Sequence, residues 1–249
     1  MKTAEAVSRR DLVALSVAGP LVGWTPWFRP KEIVIGGARF RIIRNRRSTR
    51  RYVLLHGDDD AARQLLVSHL QSRRGTAYLM ESATREVVIN GGKVDPDRMF
   101  SRAGAEASLR SLNPGWSAEQ ISAALDLLDS QRERLLNALI PPDHGLLISL
   151  NSNAGANTVA EAAAVGDQRS LPQPQSPQAL FWCTDPADYQ TLAASPYNVV
   201  LARRGRARDD GSLGRRAAIR DVRYLGIESP PGGHAAQGEM LVWADTHLR

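Results

Sequence analysis

The chain has 249 residues, of which 43% are apolar and 23% are charged. This balance excludes a disordered, collagen-like or coiled-coil chain, and the length suits one sizeable globular domain. The formal net charge of +6 favours weak attraction to anionic partners but specifies no fold. The single cysteine, Cys183, excludes a disulfide within the chain.

The N-terminal segment differs in pattern from the rest of the chain. The adjacent Arg9 and Arg10 precede a short apolar run at residues 12–28, an arrangement typical of a twin-arginine (Tat) export signal. An amphipathic first helix is the alternative, but Pro20 within the run fits a packed helix poorly. The run lacks the uninterrupted apolar stretch of about 18 residues that a membrane-spanning helix needs.

These features predict a Tat-type signal at residues 1–30, recognised by the Tat export machinery, and a single domain at residues 31–249. The predicted location is periplasmic or extracellular. No small-residue cleavage site stands out near Gly23, so the segment can remain attached to the domain.

From residue 31 onward, strand-like and helix-like segments alternate, which is typical of α/β proteins. Short apolar runs predict strands at residues 32–35, 39–43, 52–55, 77–80, 87–89, 145–150, 180–184, 198–202 and 222–228. Helical spacing and end signals predict helices at residues 61–70, 117–139, 186–194 and 235–246. Residues 154–178, rich in Ala, Pro, Gln and Ser, are predicted to form a long surface loop. The predicted fold class is α/β, with a mixed, mostly parallel sheet and helices on both faces.

Polar residues follow several of the predicted strands, and in open α/β sheets ligands bind beyond the carboxyl ends of the strands. His56 follows the strand at residues 52–55, and Asp59 comes three residues later. In a strand-to-helix turn, an imidazole and a carboxylate at this spacing can both face one metal ion. The alternative is that the acidic residues only cap the following helix and complement its dipole.

Two further strand-end clusters carry a charged residue suited to substrate chemistry. Arg98 stands in a proline turn, where its guanidinium fork matches the two oxygens of a substrate carboxylate. Glu228 ends an apolar strand and is a candidate general base. The alternatives are a turn with a surface ion pair for Arg98 and an ordinary strand-terminal glutamate for Glu228.

The order and spacing of these motifs resemble those of zinc carboxypeptidases, within the bacterial carboxypeptidase-like group related to aspartoacylase-type amidohydrolases. The resemblance spans residues 50–243 and therefore most of the predicted domain. The motifs that carry it are His56-Gly57-Asp58-Asp59, Asp95-Pro96-Asp97-Arg98-Met99-Phe100, Leu150-Asn151-Ser152-Asn153, Asp209-Asp210-Gly211-Ser212-Leu213 and Tyr224-Leu225-Gly226-Ile227-Glu228.

This resemblance implies a zinc cofactor held by His56, Asp59 and Asn151. The last two depart from the family, which has glutamate and histidine at these positions. The side chain of Asp59 is one methylene shorter than glutamate, so its oxygen lies farther from the metal position. The carboxamide oxygen of Asn151 suits calcium or magnesium better than zinc. Of the other histidines, His144 precedes its strand and lies too far away, whereas His234, in a glycine-rich loop, could reach the site.

The resemblance also implies hydrolysis of an amide bond in a peptide or an acylated amino acid. Arg98 would hold the terminal carboxylate of the substrate, and Glu228 would activate the zinc-bound water. Asp97 stands where the family has an asparagine that helps to bind the substrate, and its negative charge would repel the substrate carboxylate.

Two functions therefore stay open. The first is an exported, zinc-carboxypeptidase-like metallohydrolase with a weakened metal site. The second is a non-catalytic binding protein that retains the carboxypeptidase-like fold and pocket without a complete metal site. A catalytic zinc ion needs three protein ligands and one open position, so the ligand set separates the two functions.

Arginines are dense at residues 39–51, where seven of them fall within thirteen positions. Such a cluster could neutralise the phosphates of a nucleic acid, but no aromatic stacking platform is interleaved with it. We therefore predict a solvated, arginine-rich edge that discourages strand pairing, and no specific nucleic-acid partner. Contact with an anionic cell surface is the alternative.

Overall fold

A computed structural model of the chain describes residues 31–152, 166–203 and 209–249. The predicted signal at residues 1–30 lies outside the described residues, so export stays a prediction. The strands are β1 (Lys31–Ile35), β2 (Ala38–Asn45), β3 (Arg51–Leu54), β4 (Gly75–Met80), β5 (Val87–Ile89), β6 (Gly92–Val94), β7 (Leu147–Ser152), β8 (Gln168–Ser170), β9 (Leu180–Cys183), β10 (Asn198–Leu201) and β11 (Tyr224–Ser229). The α-helices are α1 (Asp60–Ser72), α2 (Arg102–Leu112), α3 (Ala118–Leu139), α4 (Pro186–Leu192), α5 (Leu213–Ile219) and α6 (His234–His247).

Of the strands described, nine form one sheet in the order β1-β2-β4-β3-β7-β11-β9-β10-β8, while β5 and β6 form a separate hairpin. The four central strands, β4, β3, β7 and β11, are parallel to one another. The strands that flank this centre, β2 and β9, run antiparallel to it. The predicted α/β class with a mixed sheet is therefore confirmed.

Helices cover both faces of the sheet, as predicted, and each face has its own apolar core. One core includes Leu109 of α2 and Leu128 of α3. The other includes Leu66 of α1 and Leu241 of α6. None of the helices over the described residues combines the length and the hydropathy that a bilayer crossing demands.

The helix α3 begins directly after Ser117, the first residue of the helix predicted at residues 117–139. Ser117 Oγ accepts a hydrogen bond from the backbone N–H of Gln120 at 3.3 Å, and Gln120 Oε1 accepts one from the backbone N–H of Ser117 at 2.9 Å. This capping box satisfies amides that have no partner within the helix. The predicted helix at residues 117–139 is therefore confirmed.

Four elements are absent from the sequence prediction. The helices α2 and α5 and the strand β6 are short or poor in large apolar residues, so they give little periodic signal. The strand β8 lies within residues 154–178, and the prediction of a continuous loop is wrong there. The sequence of β8 is polar, and it pairs only with β10 at the edge of the sheet, so hydrophobic alternation could not have revealed it.

A buried carboxylate joins the C-terminal helix α6 to the sheet, near the start of β3. Asp245 accepts a hydrogen bond from the Tyr52 hydroxyl at 3.1 Å, and its side chain is only 5% exposed. Arg50 lies 2.7 Å from one carboxylate oxygen, and His69 Nε2 lies 3.4 Å from the other. Burial acts to raise the pKa of Asp245, but the contact with the His69 ring and the charge of Arg50 hold the pKa below its ordinary value.

Replacing Asp245 with asparagine should lower the free energy of unfolding by about 2–4 kcal/mol at pH 7, because the change leaves the largely buried Arg50 guanidinium without its counter-charge. The lowered pKa means that this stabilisation is present above the pKa of the unfolded carboxyl and is lost as the pH falls through the folded value. Urea unfolding at a series of pH values measures both effects.

The matched control is Asp126→Asn, since Asp126 pairs with Arg102 but its side chain is 65% exposed. We expect this change to lower the free energy of unfolding by less than about 1 kcal/mol. Equal losses in the two variants would contradict a structural role for the Asp245 cluster.

Candidate functional site

The parallel strands β3, β7 and β11 are neighbours and end at the same edge of the sheet, which we call the carboxyl edge. His56 follows β3 at this edge. Asn151 of β7 and Glu228 of β11 are partners in the register of the two strands. Three residues that are far apart in the sequence therefore come to one edge.

His56 is buried, and its ring contacts a carboxylate. Its Nε2 lies 3.1 Å from Asp95 Oδ1. Asp95 is held in turn by Ser108, whose Oγ accepts a hydrogen bond from the backbone N–H of Asp95 at 2.9 Å. Burial acts to raise the pKa of Asp95, but the hydrogen bond and the charge of His56 hold the pKa below its ordinary value. His56 is therefore engaged with a partner that the sequence analysis does not assign.

Asp59 caps the helix α1. Its Oδ1 accepts a hydrogen bond from the backbone N–H of Ala62 at 2.9 Å, and its Oδ2 accepts one from the Ser152 hydroxyl. His234 Nδ1 lies 3.8 Å from Asp59 Oδ1, so this histidine does reach the carboxyl edge. The helix cap that the sequence left as an alternative for Asp59 is thus present.

Asn151 and Glu228 are hydrogen-bonded to each other. Asn151 Nδ2 donates to Glu228 Oε1 at 2.8 Å and to Ser149 Oγ at 3.2 Å, and Ser149 shares a hydrogen bond with the Tyr224 hydroxyl. Burial raises the pKa of Glu228 to about 8, although the hydrogen bond from Asn151 acts to lower this pKa. The negative charge of Asp97 adds to the rise. At pH 7 the Glu228 carboxyl is therefore mostly protonated and neutral.

Asp97 and Arg98 belong to the 3-10 turn Pro96–Arg98 and contact the loop before α5. Asp97 Oδ1 accepts a hydrogen bond from the backbone N–H of Leu213 at 3.1 Å, and burial raises the pKa of Asp97 to about 6. Arg98 donates to Asp210 Oδ2 at 2.8 Å. The guanidinium of Arg98 thus forms an ion pair within the protein, which is the alternative that its turn suggested.

A small cavity of 40 Å³ lies among these groups. The residues that line it are Asp97, Asn151, Trp182, Asp210, Ser212, Gly214, Tyr224 and Glu228. Two polar atoms of these residues, Asn151 Oδ1 and Trp182 Nε1, are buried without a hydrogen-bond partner among the described residues. A buried polar atom in this state costs about 1–3 kcal/mol, so a ligand group that satisfied both atoms would gain affinity.

A larger groove of 480 Å³ runs beside the helix α2. Asp95, Arg98 and Asp210 line it together with small residues of α2, among them Ala103 and Ala107. Asp210 lines both the groove and the small cavity, so the two spaces are adjacent. Their combined size suits a small organic molecule.

Three residues of this site, Asp95, Trp182 and Tyr224, have no role that the sequence alone predicts. Tyr224 is four residues before Glu228 on β11, so both side chains lie on the same face of the strand. This alternation could have identified Tyr224. Trp182 comes to the same cavity only because β9 pairs with β11 and sets Trp182 opposite Gly226, which no local pattern encodes.

The donors at the carboxyl edge do not fit a catalytic zinc ion. Across residues 31–152, 166–203 and 209–249, no group of three or more His, Cys, Asp or Glu side chains is arranged to hold a metal ion. Asn151 supplies a neutral carboxamide, which binds zinc weakly compared with imidazole. The three residues predicted as ligands, His56, Asp59 and Asn151, are therefore near the same edge without forming a zinc ligand set.

No protein-family model matches the chain, and among curated proteins none matches its sequence. Among solved structures, the chain is similar to the crystal structure of a "putative metallopeptidase" from Shewanella baltica OS155. That similarity has a TM-score of 0.45 and 11% sequence identity, over 88% of this chain and 87% of the other. The α/β class stated above rests on the strands and helices of this chain itself.

Replacing Glu228 with glutamine should stabilise the protein increasingly as the pH rises. The folded-state pKa of about 8 lies above the ordinary value of 4.5, so ionisation of the carboxyl is more costly in the folded than in the unfolded chain. The wild type should therefore lose stability between about pH 5 and pH 8, whereas glutamine keeps the acceptor for Asn151 and does not ionise. Urea unfolding should show a gain of roughly 3–4 kcal/mol at pH 8 and less than about 1 kcal/mol at pH 5.

The control variant is Glu106→Gln on α2, where the carboxylate pairs with Arg110 and its side chain is 41% exposed. We expect no stabilisation from this change. A gain for Glu228→Gln that is the same at every pH would show that ionisation of Glu228 is not its cause.

Proposed function

We propose that this chain is a carboxypeptidase-like binding protein, which holds a small amide-bearing ligand at the carboxyl edge without hydrolysing it. The observation that carries the proposal is that each position corresponding to a zinc ligand has a protein partner instead. His56 contacts Asp95, Asp59 caps α1, and Asn151 donates to Glu228. The twin-arginine motif of the sequence adds an exported location to the proposal.

The chemistry of the small cavity supports a neutral ligand group. Asn151 Oδ1 needs a donor, and Trp182 Nε1 needs an acceptor. Glu228, with a pKa of about 8, is mostly uncharged at neutral pH. An amide offers one N–H and one carbonyl oxygen, so it can satisfy both unpaired atoms without bringing a charge into the cavity.

The groove beside α2 supports a ligand that extends beyond the amide. Arg98 lies in the groove but is paired with Asp210, and Asp95 lies close by. Arg98, the residue predicted to hold a terminal carboxylate, is thus already paired within the described part of the chain. A peptide or an acylated amino acid that presents its amide group, rather than a free carboxylate, is therefore the proposed ligand class.

Amide hydrolysis is the second candidate function. It is favoured by the meeting of the carboxypeptidase-like motifs at one sheet edge and by His234, whose Nδ1 lies 3.8 Å from Asp59 Oδ1. Zinc binding separates this candidate from the first, because the hydrolase requires the metal and the binding protein does not.

We expect the full-length protein, dialysed against zinc chloride and then against buffer, to retain far less than stoichiometric zinc by elemental analysis. The His56→Ala variant should retain the same small amount as the wild type. The control is His144→Ala, because His144 is exposed and lies in the loop before β7. Near-stoichiometric zinc that is lost in His56→Ala and kept in His144→Ala would reject the binding protein and support the hydrolase.

N-acetylglycinamide is a suitable probe of the cavity, since it carries neutral amides and no carboxylate. We expect isothermal titration calorimetry to detect its binding to the wild type, and Trp182→Phe to weaken it roughly five- to tenfold, because one hydrogen bond is lost. The matched control is Trp243→Phe on α6, where the ring packs against the core of the opposite face. Equal affinities for the two variants, or no binding to the wild type, would reject the proposed ligand site.

A further inference from the structure

Five exposed arginines form a cluster at the end of the sheet opposite the carboxyl edge, which we call the basic pole. Its members are Arg44, Arg46, Arg47, Arg73 and Arg74. The β2–β4 pairing sets Arg44 opposite Thr76, so the turn after β2 lies beside the turn before β4. Asn45 joins the two turns, since its Nδ2 donates to the backbone carbonyl of Arg73 at 2.9 Å.

Four of the five arginines of the basic pole have no carboxylate partner. Among the described residues, Arg44, Arg46, Arg47 and Arg74 make no ion pair, and Arg73 pairs with the buried Asp245 at the long distance of 3.7 Å. That carboxylate is already paired more closely with Arg50, at 2.7 Å.

Several arginines elsewhere on the surface are paired with carboxylates at short distance. Arg39 pairs with Glu32 at 2.7 Å, and Arg110 pairs with Glu106 at 2.8 Å. Unpaired cationic side chains in close proximity repel one another, so their concentration at one place destabilises the fold unless an anion is bound.

The backbone of the pole is strained as well. Arg46 has a φ of 58°, in the left-handed region that is unfavourable for a long side chain. Glycine or asparagine would fit this turn position at lower cost. An arginine at a position that favours other residues is consistent with a role for its charge rather than for the stability of the turn.

The chain that precedes β1 joins the sheet at this same end. Lys31, the first residue of β1, is the register partner of Ile42, two residues before Arg44. By strand geometry, residue 31 is thus within about 10 Å of the pole. The preceding sequence carries the apolar run at residues 12–28, with Trp24 and Trp27 near its end. Apolar and tryptophan side chains suit the interface of a lipid bilayer.

We propose that the basic pole binds the headgroups of anionic phospholipids at a membrane surface. Each guanidinium can donate two parallel hydrogen bonds to a phosphate. Two aromatic rings of the described residues near this end of the sheet, Tyr52 beside Gly75 and Tyr78 beside Arg51, are buried and cannot stack on a base. The apolar run in the sequence at residues 12–28 would find a matching environment in a bilayer and none in a nucleic acid.

Binding of the basic pole to a membrane would leave the candidate site accessible to solvent. His56 follows Arg51 by five residues along β3, so the carboxyl edge lies about 16 Å beyond the pole. A protein held by the basic pole would present its small cavity and groove away from the bilayer. Ligand binding and lipid binding would therefore not compete for the same surface.

Sedimentation of the full-length protein with vesicles tests this proposal. One set of vesicles contains equal parts of phosphatidylglycerol and phosphatidylcholine, and the other contains phosphatidylcholine alone. Binding to the second set measures any charge-independent contribution of the apolar run at residues 12–28. We expect stronger binding to the anionic vesicles, and weakening of that binding by salt. Replacement of Arg44, Arg46 and Arg47 by glutamine should reduce the partition coefficient roughly a hundredfold on the anionic vesicles and leave it unchanged on the neutral ones.

Two further variants keep the test decisive. Arg47→Gln combined with Arg74→Gln leaves the strands untouched and should weaken anionic binding roughly tenfold or more. Arg110, Arg134 and Arg169, all exposed and outside the pole, are replaced by glutamine as the charge-matched control. Equal binding to both vesicle types, or an equal loss in the control, would overturn the proposal. Release of the protein from anionic vesicles by a DNA duplex at the same phosphate concentration would also overturn it, in favour of a nucleic-acid partner.

Discussion

The parallel pairing of β7 with β11 is the constraint on which the candidate site depends. Its register sets Asn151 opposite Glu228, and the two side chains form a hydrogen bond of 2.8 Å. A slip of one residue would turn these side chains to opposite faces of the sheet. Because of this register, the positions that resemble a metal ligand and a general base contact each other directly. The pair defines one wall of the small cavity and gives it a neutral, amide-like character.

Burial of acidic groups is the main energetic feature of this site. Glu228 and Asp97 both line the cavity, and burial raises the pKa of each. A protein selected for stability alone would fill such a position with neutral side chains. Shifted pKa values and unpaired polar atoms in one cavity are typical of functional sites, where stability is sacrificed for binding or chemistry. The unpaired Asn151 Oδ1 and Trp182 Nε1 add to the same pattern.

Most of the fold could be predicted from the sequence, because its strands and longer helices carry strong apolar patterns. The capping box at Ser117 located the start of α3, and the strand-end motifs placed His56, Asn151 and Glu228 at one edge of the sheet. What local patterns could not provide was the choice of partner for each side chain. The contact of His56 with Asp95 depends on the path of the chain between β6 and α2. The approach of Trp182 depends on strand order, and β8 forms only through its pairing with β10.

Asp59 links the carboxyl edge to the stability of the scaffold. Its carboxylate accepts a hydrogen bond from Ala62 and so begins the helix α1, a task for which aspartate is among the preferred residues and glutamate is not. Replacing Asp59 with glutamate would therefore weaken the start of α1, because the longer side chain fits the cap position poorly. The other oxygen of the same carboxylate accepts a hydrogen bond from the Ser152 hydroxyl of β7, so one short side chain ties the first turn of the helix to the neighbouring strand.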